Sequence, residues 1–109
     1  MATFITIGYG DQQGYQGTEP AIRDAAHAHD AGLVSRGVTM GTAGMPVQVR
    51  NHDAAGVRTQ DGPFHTSTLP VAGFAVIEAA TLEDAVDIVA QTPCAVAQGV
   101  VEVWPLRTG

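Results

Sequence analysis

The four residues Asp61-Gly62-Pro63-Phe64 constrain the backbone more than any other short run in this sequence. Asp61 can accept hydrogen bonds from the backbone N–H groups that follow it, which is why Asp often begins a turn. Gly62 can adopt angles closed to other residues, and Pro63 fixes its own φ and lacks an N–H donor. Phe64 supplies a large ring that can anchor the turn on a core. The run predicts a stiff corner between two extended segments.

The composition predicts a single folded domain over residues 1–109, because 45% of the 109 residues are hydrophobic and 15% are charged. No apolar run is long enough to span a membrane, and the N-terminus lacks the basic region of a secretory signal. A single cysteine, Cys94, excludes an internal disulfide and fits a reducing cytoplasm. We expect Cys94 to be a small buried apolar residue.

The charge balance excludes several function classes. Eleven acids against five arginines, with no lysine, give a formal net charge of −6. Because the arginines are scattered along the chain, we expect it to bind neither nucleic acid nor an anionic membrane surface. The absence of lysine removes Schiff-base chemistry.

Hydrophobic patterning predicts the order β-α-β, hairpin, β-α-β. A helix should begin after an N-cap at Thr18 and end near Ala31, before Gly32, and a second should cover 81–90. A flexible glycine-rich loop is expected at 8–17. Extended segments are predicted at 2–7, 33–40, 47–49, 57–59, 73–79 and 99–104.

This order predicts an antiparallel sheet with both helices on one face. The uncovered face then needs a partner, and we expect a homodimer. The valine-rich last strand and Trp104 are candidates for the contact, and the alternative for Trp104 is an ordinary edge residue. In the first helix, small residues at Ala21, Ala25 and Ala28, with Ile22, should let the helix lie close on the sheet, while Arg23 and His27 face the other side.

The corner at 61–64 is followed by a glycine-led strand from Gly73, a helix, Pro93 and a closing Val-Glu-Val-Trp-Pro strand at 101–105. This series resembles the YCII-related superfamily in its DGPF branch, over most of the chain and most strongly from 61 to 105. The resemblance implies a ferredoxin-like βαββαβ fold with an extra hairpin, which dimerises into a dimeric α+β barrel.

The resemblance does not extend to the acid–base pair of YCII-related proteins. The early histidine of the first helix corresponds to Ala21 here, and the aspartate before the late proline corresponds to Thr92. DGPF relatives also tend to have a charged run after the corner, where this chain has His65-Thr66-Ser67-Thr68. We therefore expect a pocket for a less charged or differently shaped molecule.

His65 is the first candidate for catalysis, because it follows a rigid corner and precedes hydroxyl residues that can orient an imidazole. Asp61 could fix its tautomer. His29 is the second candidate, since a partly apolar helix face would keep it neutral. The alternatives are a solvated loop residue for His65 and, for His29, a histidine at the edge of the core bonded to a backbone carbonyl.

Substrate contacts are predicted from the loop after the first strand, from the corner and from the second extended segment: Tyr9, Phe64, Thr66, Ser67 and Met40. No cofactor and no metal are predicted. The Gly8-x-Gly10 pair has the wrong spacing for a dinucleotide site. His27 and His29 point about 200° apart on a helix and cannot share an ion.

Two function hypotheses follow. The first is a small dimeric enzyme of bacterial metabolism, of isomerase, lyase or cyclase type, that acts on a small organic molecule by acid–base chemistry without a cofactor. The alternative is a non-catalytic ligand-binding or regulatory module. Loss of the family's acid–base pair favours the second hypothesis, and the histidine at position 65 favours the first.

Overall fold

The computed structural model describes residues 1–108, which form one mixed α+β arrangement. The main sheet is antiparallel and has four strands, and this confirms the predicted α+β class. In chain order the elements are β1 (Ala2–Tyr9), α1 (Gln12–Gln16), α2 (Pro20–Ser35), β2 (Thr39–Thr42), β3 (Val47–Arg50), a 3-10 turn (His52–Ala54), β4 (Arg58–Asp61), β5 (Val71–Ala79), α3 (Leu82–Val89), α4 (Pro93–Val96) and β6 (Val100–Pro105). The strand order in the main sheet is β2-β5-β1-β6, and β3 and β4 pair separately.

Alternation along the strands sends side chains to two faces of the main sheet. Phe4 and Ile77 lie opposite each other in register, and both are buried, with Ile77 only 2% exposed. The next pair, Ile5 and Val76, points to the other face, where Val76 is 41% exposed. The hydrophobic core therefore lies on the first face, under the helices, and consists of Phe4, Ala75, Ile77, Ala79, Ala85 and Val89.

The second face of the sheet is largely apolar and exposed. Phe74 is 49% exposed, Val100 is 52% exposed and Trp104 is 56% exposed. Ile5 and Ile7 lie between them on β1 and are partly buried. We call this surface, formed by Ile5, Ile7, Phe74, Val76, Val100 and Trp104, the open face.

Helix α3 matches its sequence prediction. The Thr81 hydroxyl accepts a hydrogen bond from the Asp84 backbone N–H at 3.1 Å and so caps the first turn. Ala85 and Val89 are buried against the sheet. The helix packs on the sheet because its apolar residues recur every three or four positions.

Helix α2 differs from its prediction in both length and orientation. It continues through Gly32 to Ser35, and the chain leaves the helix at Gly37, whose φ of +92° suits a glycine. There Gly37 N–H donates to Val34 O and Val38 N–H donates to Leu33 O. Residues 33–35, predicted as extended, are therefore helical. The two bonds close the helix end, and nothing comparable stops it at Gly32.

The buried residues of α2 are Ala26 and Leu33, and the predicted inner residues Ala21, Ala25 and Ala28 are exposed. An alanine stripe gains little from burial, so the larger Leu33 decides which side of the helix faces inward.

The glycine-rich segment 8–17 contains a short helix where a loop was predicted. Asp11 caps α1 by accepting a hydrogen bond from the Gly14 N–H at 2.8 Å. Thr18 does not cap α2; its buried hydroxyl donates to Gly14 O at 2.9 Å. The segment is thereby fixed against the start of α2.

The predicted hairpin is confirmed, with Val49 opposite Thr59. It projects from the body, since β3 and β4 contact mainly each other and the molecule measures 52 × 37 × 21 Å. Gly62, with φ of +99°, begins the corner and donates its N–H to Pro46 O at 2.9 Å. The expected anchoring of Phe64 on the core is wrong: the ring is 79% exposed and lies 5.6 Å from the Arg50 guanidinium carbon, on the hairpin.

No helix among residues 1–108 is both long and apolar enough to cross a membrane.

Candidate functional site

A cavity of about 620 Å³ lies between the helix-covered face of the sheet and α2. Its floor is the sheet and its roof is α2, while α1, α3 and α4 close the sides. The residues that matter most for its chemistry are Thr6, Gly8 and Ala75 on the sheet, Tyr15 on α1, His27 and Asp30 on α2, and Cys94 on α4.

The cavity exists because the residues below α2 are small. Gly8 and Gly73 present no side chain to the space, and Ala75 fills little of it. Neither glycine can carry a side chain without displacing a neighbour, because a methyl group at Gly73 would meet Gly41 O at 2.6 Å and one at Gly8 would meet Cys94 Sγ at 2.9 Å. Small residues in the sheet and the helix therefore leave room for a ligand, instead of letting α2 close onto the sheet as the sequence had suggested.

Asp30 is the acidic group of α2 that lines the cavity. Its Oδ1 is buried and has no hydrogen-bond partner among residues 1–108. Burial raises the pKa of the Asp30 carboxyl above its usual range, while the nearby His29 and His27 lower it. A carboxyl group with a raised pKa can both take up and release a proton closer to neutral pH.

Tyr15 and His27 form a polar pair beside Asp30. The Tyr15 hydroxyl and His27 Nε2 share a hydrogen bond of 2.7 Å, and both residues line the cavity. The Arg23 guanidinium carbon lies 4.7 Å from the centre of the Tyr15 ring, which is close enough for a cation–π contact. The short helix α1 therefore holds an aromatic hydroxyl over the polar side of α2.

Cys94 lines the same cavity and is partly buried. Burial raises the pKa of the Cys94 thiol, and the negative charge of Asp30 raises it further. The thiol therefore stays protonated at neutral pH, whereas a nucleophilic cysteine needs a lowered pKa. Cys94 fits the expected role of a small apolar residue, here in the wall of the cavity.

His29 is bonded to a backbone carbonyl at the edge of the core, which is the alternative that the sequence analysis gives for it. Its Nε2–H donates a hydrogen bond to the Ile88 carbonyl oxygen at 2.8 Å, and the side chain is partly buried. The bond ties α2 to α3. His29 does not line the cavity, and its ring is directed to the Ile88 carbonyl of α3.

The corner and the segment after it lie away from the cavity. Asp61 ends β4 and is exposed, and His65, Thr66 and Ser67 follow in an exposed loop in which the Ser67 hydroxyl donates to Leu69 O. A separate, smaller cavity of about 390 Å³ lies beside Phe64 and the hairpin. None of these residues lines the cavity under α2. A catalytic role of His65 with Asp61 stays a prediction, and the structure gives these residues no common pocket with Asp30.

The two remaining predicted substrate contacts, Met40 and Tyr9, lie in different places. Met40, on β2, lines the cavity. Tyr9 is buried on the opposite side of β1, where its hydroxyl donates to Glu102 Oε1 at 2.7 Å. The Glu102 carboxylate raises the pKa of the Tyr9 hydroxyl. Of the five predicted substrate contacts, Met40 alone borders the cavity that contains Asp30.

Sequence reasoning missed Asp30, Tyr15 and His27 as a group. A signal was present, because Arg23, His27 and Asp30 recur at i, i+4 and i+7 and so lie on one side of α2. The sequence prediction placed that side of the helix outward, because it assigned the alanines to the side that faces the sheet. Tyr15 could not be assigned to this group from the sequence, since its position depends on α1. The glycines at 10, 14 and 17 indicated a loop there instead of a helix.

No protein-family model matches this sequence, and a search of curated proteins finds no similar sequence. Within residues 1–108, no group of three or more His, Cys, Asp or Glu side chains is placed to hold a metal ion. The geometry of the cavity is therefore the basis for a functional proposal.

Proposed function

We propose that this chain binds a small, mainly apolar organic molecule in the cavity under α2 and moves a proton on it. Asp30 is the acid–base group. The observation behind the proposal is the buried, unpartnered Oδ1 of Asp30 in a cavity with mainly apolar walls. A carboxyl group in such a place carries a desolvation penalty, which a bound ligand that offers a proton would offset.

The size and lining of the cavity support the binding step. Its volume of about 620 Å³ falls in the range of small-molecule sites, roughly 300–1,000 Å³. Apolar walls with a few convergent polar groups are typical of such sites. Leu33, Ile77 and Val89 would contact the body of a ligand, while Asp30, His27 and Tyr15 would orient it.

Proton transfer by Asp30 suits an isomerase, lyase or cyclase. As a carboxylate, Asp30 would take a proton from a carbon beside a carbonyl group and then return it at a second position. The His27–Tyr15 pair would donate a hydrogen bond to the carbonyl oxygen as negative charge develops there. The resemblance to YCII-related proteins supports this class. Asp30 and His27 would replace the acid–base pair that is absent at Ala21 and Thr92.

A non-catalytic binding role is the second candidate. It is favoured by the mainly apolar wall, in which glycine and alanine are the commonest residues and which would suit a carrier or sensor of an apolar metabolite. The two roles differ in one respect, which is whether Asp30 exchanges a proton with the bound molecule.

Ligand-detected NMR in D₂O separates the two roles. A small-molecule screen that follows thermal stability first supplies binders, since ligands of the native state raise its midpoint. Each binder is then incubated in D₂O with native protein, with Asp30→Asn and with Asp24→Asn, which alters an exposed acid of α2 outside the cavity. We expect native protein and Asp24→Asn to exchange a ligand C–H for deuterium, with a loss of about 100-fold or more in Asp30→Asn. Binding without exchange by native protein would establish the second role.

We also propose that the chain adopts a ferredoxin-like arrangement and that a second copy covers the open face, which gives a dimeric α+β barrel. The strand order β2-β5-β1-β6 with two β-α-β crossovers supports the first part. The exposed Phe74, Val76 and Trp104 support the second, because an apolar sheet face of this extent is typical of an interface.

A further inference from the structure

The hairpin of β3 and β4 carries two of the five arginines of the chain directly opposite each other. Arg50 pairs with Arg58 in the register of the two strands, so both side chains leave the same face of the hairpin. Like charges that face each other across two strands destabilise the pairing. Arg50 Nη2 donates a hydrogen bond to Gln48 Oε1 at 2.9 Å, but this neutral amide leaves the repulsion in place. An anion between the two guanidinium groups would offset it.

A cavity of about 340 Å³ lies beside the two arginines, at the turn that joins β3 to β4. Two arginines and a histidine border this space, and its wall includes no acidic residue of the described range 1–108. Asp53 belongs to the turn but not to the wall. The cavity under α2 differs, because Asp11 and Asp30 are part of its wall. The wall of the hairpin cavity consists of Arg50, His52, Ala55, Gly56, Val57 and Arg58.

The corner at 61–64 holds Arg50 in position. Gln48 Nε2 donates to Gly62 O at 3.1 Å, and the oxygen of the same amide accepts the bond from Arg50. The Phe64 ring lies 5.6 Å from the Arg50 guanidinium carbon, which is close enough for a cation–π contact. Arg50 is therefore partly buried on a hairpin that is otherwise mostly exposed. A side chain that is already ordered loses less conformational entropy when it binds a ligand.

We propose that the cavity beside Arg50 and Arg58 binds the phosphate group of a small phosphorylated molecule. The site is separate from the cavity under α2 and does not depend on the function proposed for that cavity. A guanidinium group presents N–H donors in a planar fork that matches phosphate oxygens. A phosphate monoester offers three terminal oxygens and about two negative charges, which is enough for one fork from each arginine. A carboxylate offers two oxygens and a single charge, so phosphate suits the pair better.

The charge of the whole chain restricts the ligand to a small anion. The formal net charge is −6, so the surface as a whole repels an extended polyanion such as a nucleic acid. The attraction of the arginine pair is screened over about 8 Å at physiological ionic strength. It therefore acts on a single phosphate group within the cavity and not on a chain of them.

Titration with glycerol 3-phosphate tests the proposal, and glycerol is its neutral counterpart. Binding is followed through the amide chemical shifts of isotope-labelled protein. The proteins are the native chain, Arg58→Gln, Arg50→Gln and Arg36→Gln, which removes the same charge at the end of α2.

We expect native protein and Arg36→Gln to bind glycerol 3-phosphate with a dissociation constant of about 1 mM or lower, with shifts at His52 and Gly56. Each hairpin variant should bind at least about tenfold more weakly, because it loses one charged fork. Glycerol should produce no shifts at these amides.

The positioning role of the corner has a test of its own. Phe64→Leu removes the ring beside Arg50 and should weaken the binding of glycerol 3-phosphate by about two- to fivefold. Phe64→Tyr keeps a ring and should retain the native affinity. Equal affinities of these two variants would remove Phe64 from the site, because a general loss of packing would not be rescued by an aromatic ring alone.

Three results would overturn the proposal. The first is no shift of hairpin amides at about 10 mM glycerol 3-phosphate. The second is an affinity that is equal in native protein and in both hairpin variants. The third is tighter binding of a short single-stranded DNA than of glycerol 3-phosphate, which would replace the small anion by a nucleic acid. None of these results bears on the cavity under α2, since glycerol 3-phosphate has no apolar body to fill it.

Discussion

The two faces of the main sheet are formed by alternate residues of the same strands, yet they are completed in different ways. On the helix-covered face, Ile77 is 2% exposed and packs in a core, although a cavity remains beside it. On the open face, its neighbour Val76 is 41% exposed. The first face is closed by the chain itself except where small residues leave room for a ligand. The second face presents a largely apolar surface, interrupted by Glu102 between Val100 and Trp104, which we propose a second copy covers.

The largest expected difference between the two faces is in the loss of stability when neighbouring residues on β5 are truncated. We expect Ile77→Ala to lower the free energy of unfolding by about 2–5 kcal/mol, since it removes buried methyl groups from a packed core. Val76→Ala should lower the stability of the monomer by less than about 1 kcal/mol. Urea unfolding at low protein concentration measures both values. Similar losses for the two variants would show that the faces do not differ in packing.

Introducing a charge on the open face should disrupt the proposed dimer. Sedimentation velocity of native protein should give a species of twice 11.3 kDa. Val76→Arg should weaken the dimer by at least about 100-fold, because an unpaired charge would be buried in an apolar contact. Val86→Arg is the control, since Val86 is similarly exposed, at 46%, but lies on α3. A native monomer at all concentrations would exclude the dimer, and equal effects of both variants would exclude the open face as its interface.

Filling the cavity should act on the helix-covered face alone. Ala31 lies on α2 in the cavity wall, and Ala28 lies on the same helix outside it. Ala31→Phe should abolish the thermal shift produced by ligands that bind native protein, with a loss of affinity of at least about tenfold. Ala28→Phe should preserve it. Ligand binding that survives Ala31→Phe would place the binding site elsewhere.

The smallest predicted effect is a dependence of stability on pH. Because the pKa of Asp30 is raised in the folded state, the folded chain binds its proton more tightly than the unfolded chain does. Stability should therefore fall as the pH rises from the ordinary carboxyl range, about 4, through the raised pKa. Asp30→Asn removes this loss, so its midpoint should exceed that of native protein by a few degrees at pH 7 and not at pH 3. A constant difference across this range would contradict the assignment.

The sequence was sufficient for elements with strong local signals. Helix α3, the hairpin around Val49 and the alternating strands each depend on residues close in the chain, and the structure confirms them. The antiparallel sheet followed from their order. The end of α2 could not be predicted in this way, because both Gly32 and Gly37 are possible stops for the helix. Only the hydrogen bonds made by Gly37 and Val38 decide between them.

The candidate site could be predicted only in small part. Met40 was among the expected contacts, but Asp30, Tyr15 and Cys94 come from three helices whose packing no local pattern specifies. The orientation of α2 depended on Leu33, not on the more numerous alanines. The corner at 61–64 was given a functional interpretation because of its unusual composition. In the structure it stabilises the base of the hairpin, through the hydrogen bond between Gly62 and Pro46.

The most direct test of the account is to locate a bound ligand by amide chemical-shift mapping on isotope-labelled native protein. Binders from the thermal screen should perturb residues of the cavity wall, among them Thr6, Asp30 and Cys94, and leave the hairpin residues Val49 and Phe64 unchanged. Perturbations confined to the hairpin or to the open face would contradict the proposal that the space under α2 is the functional site.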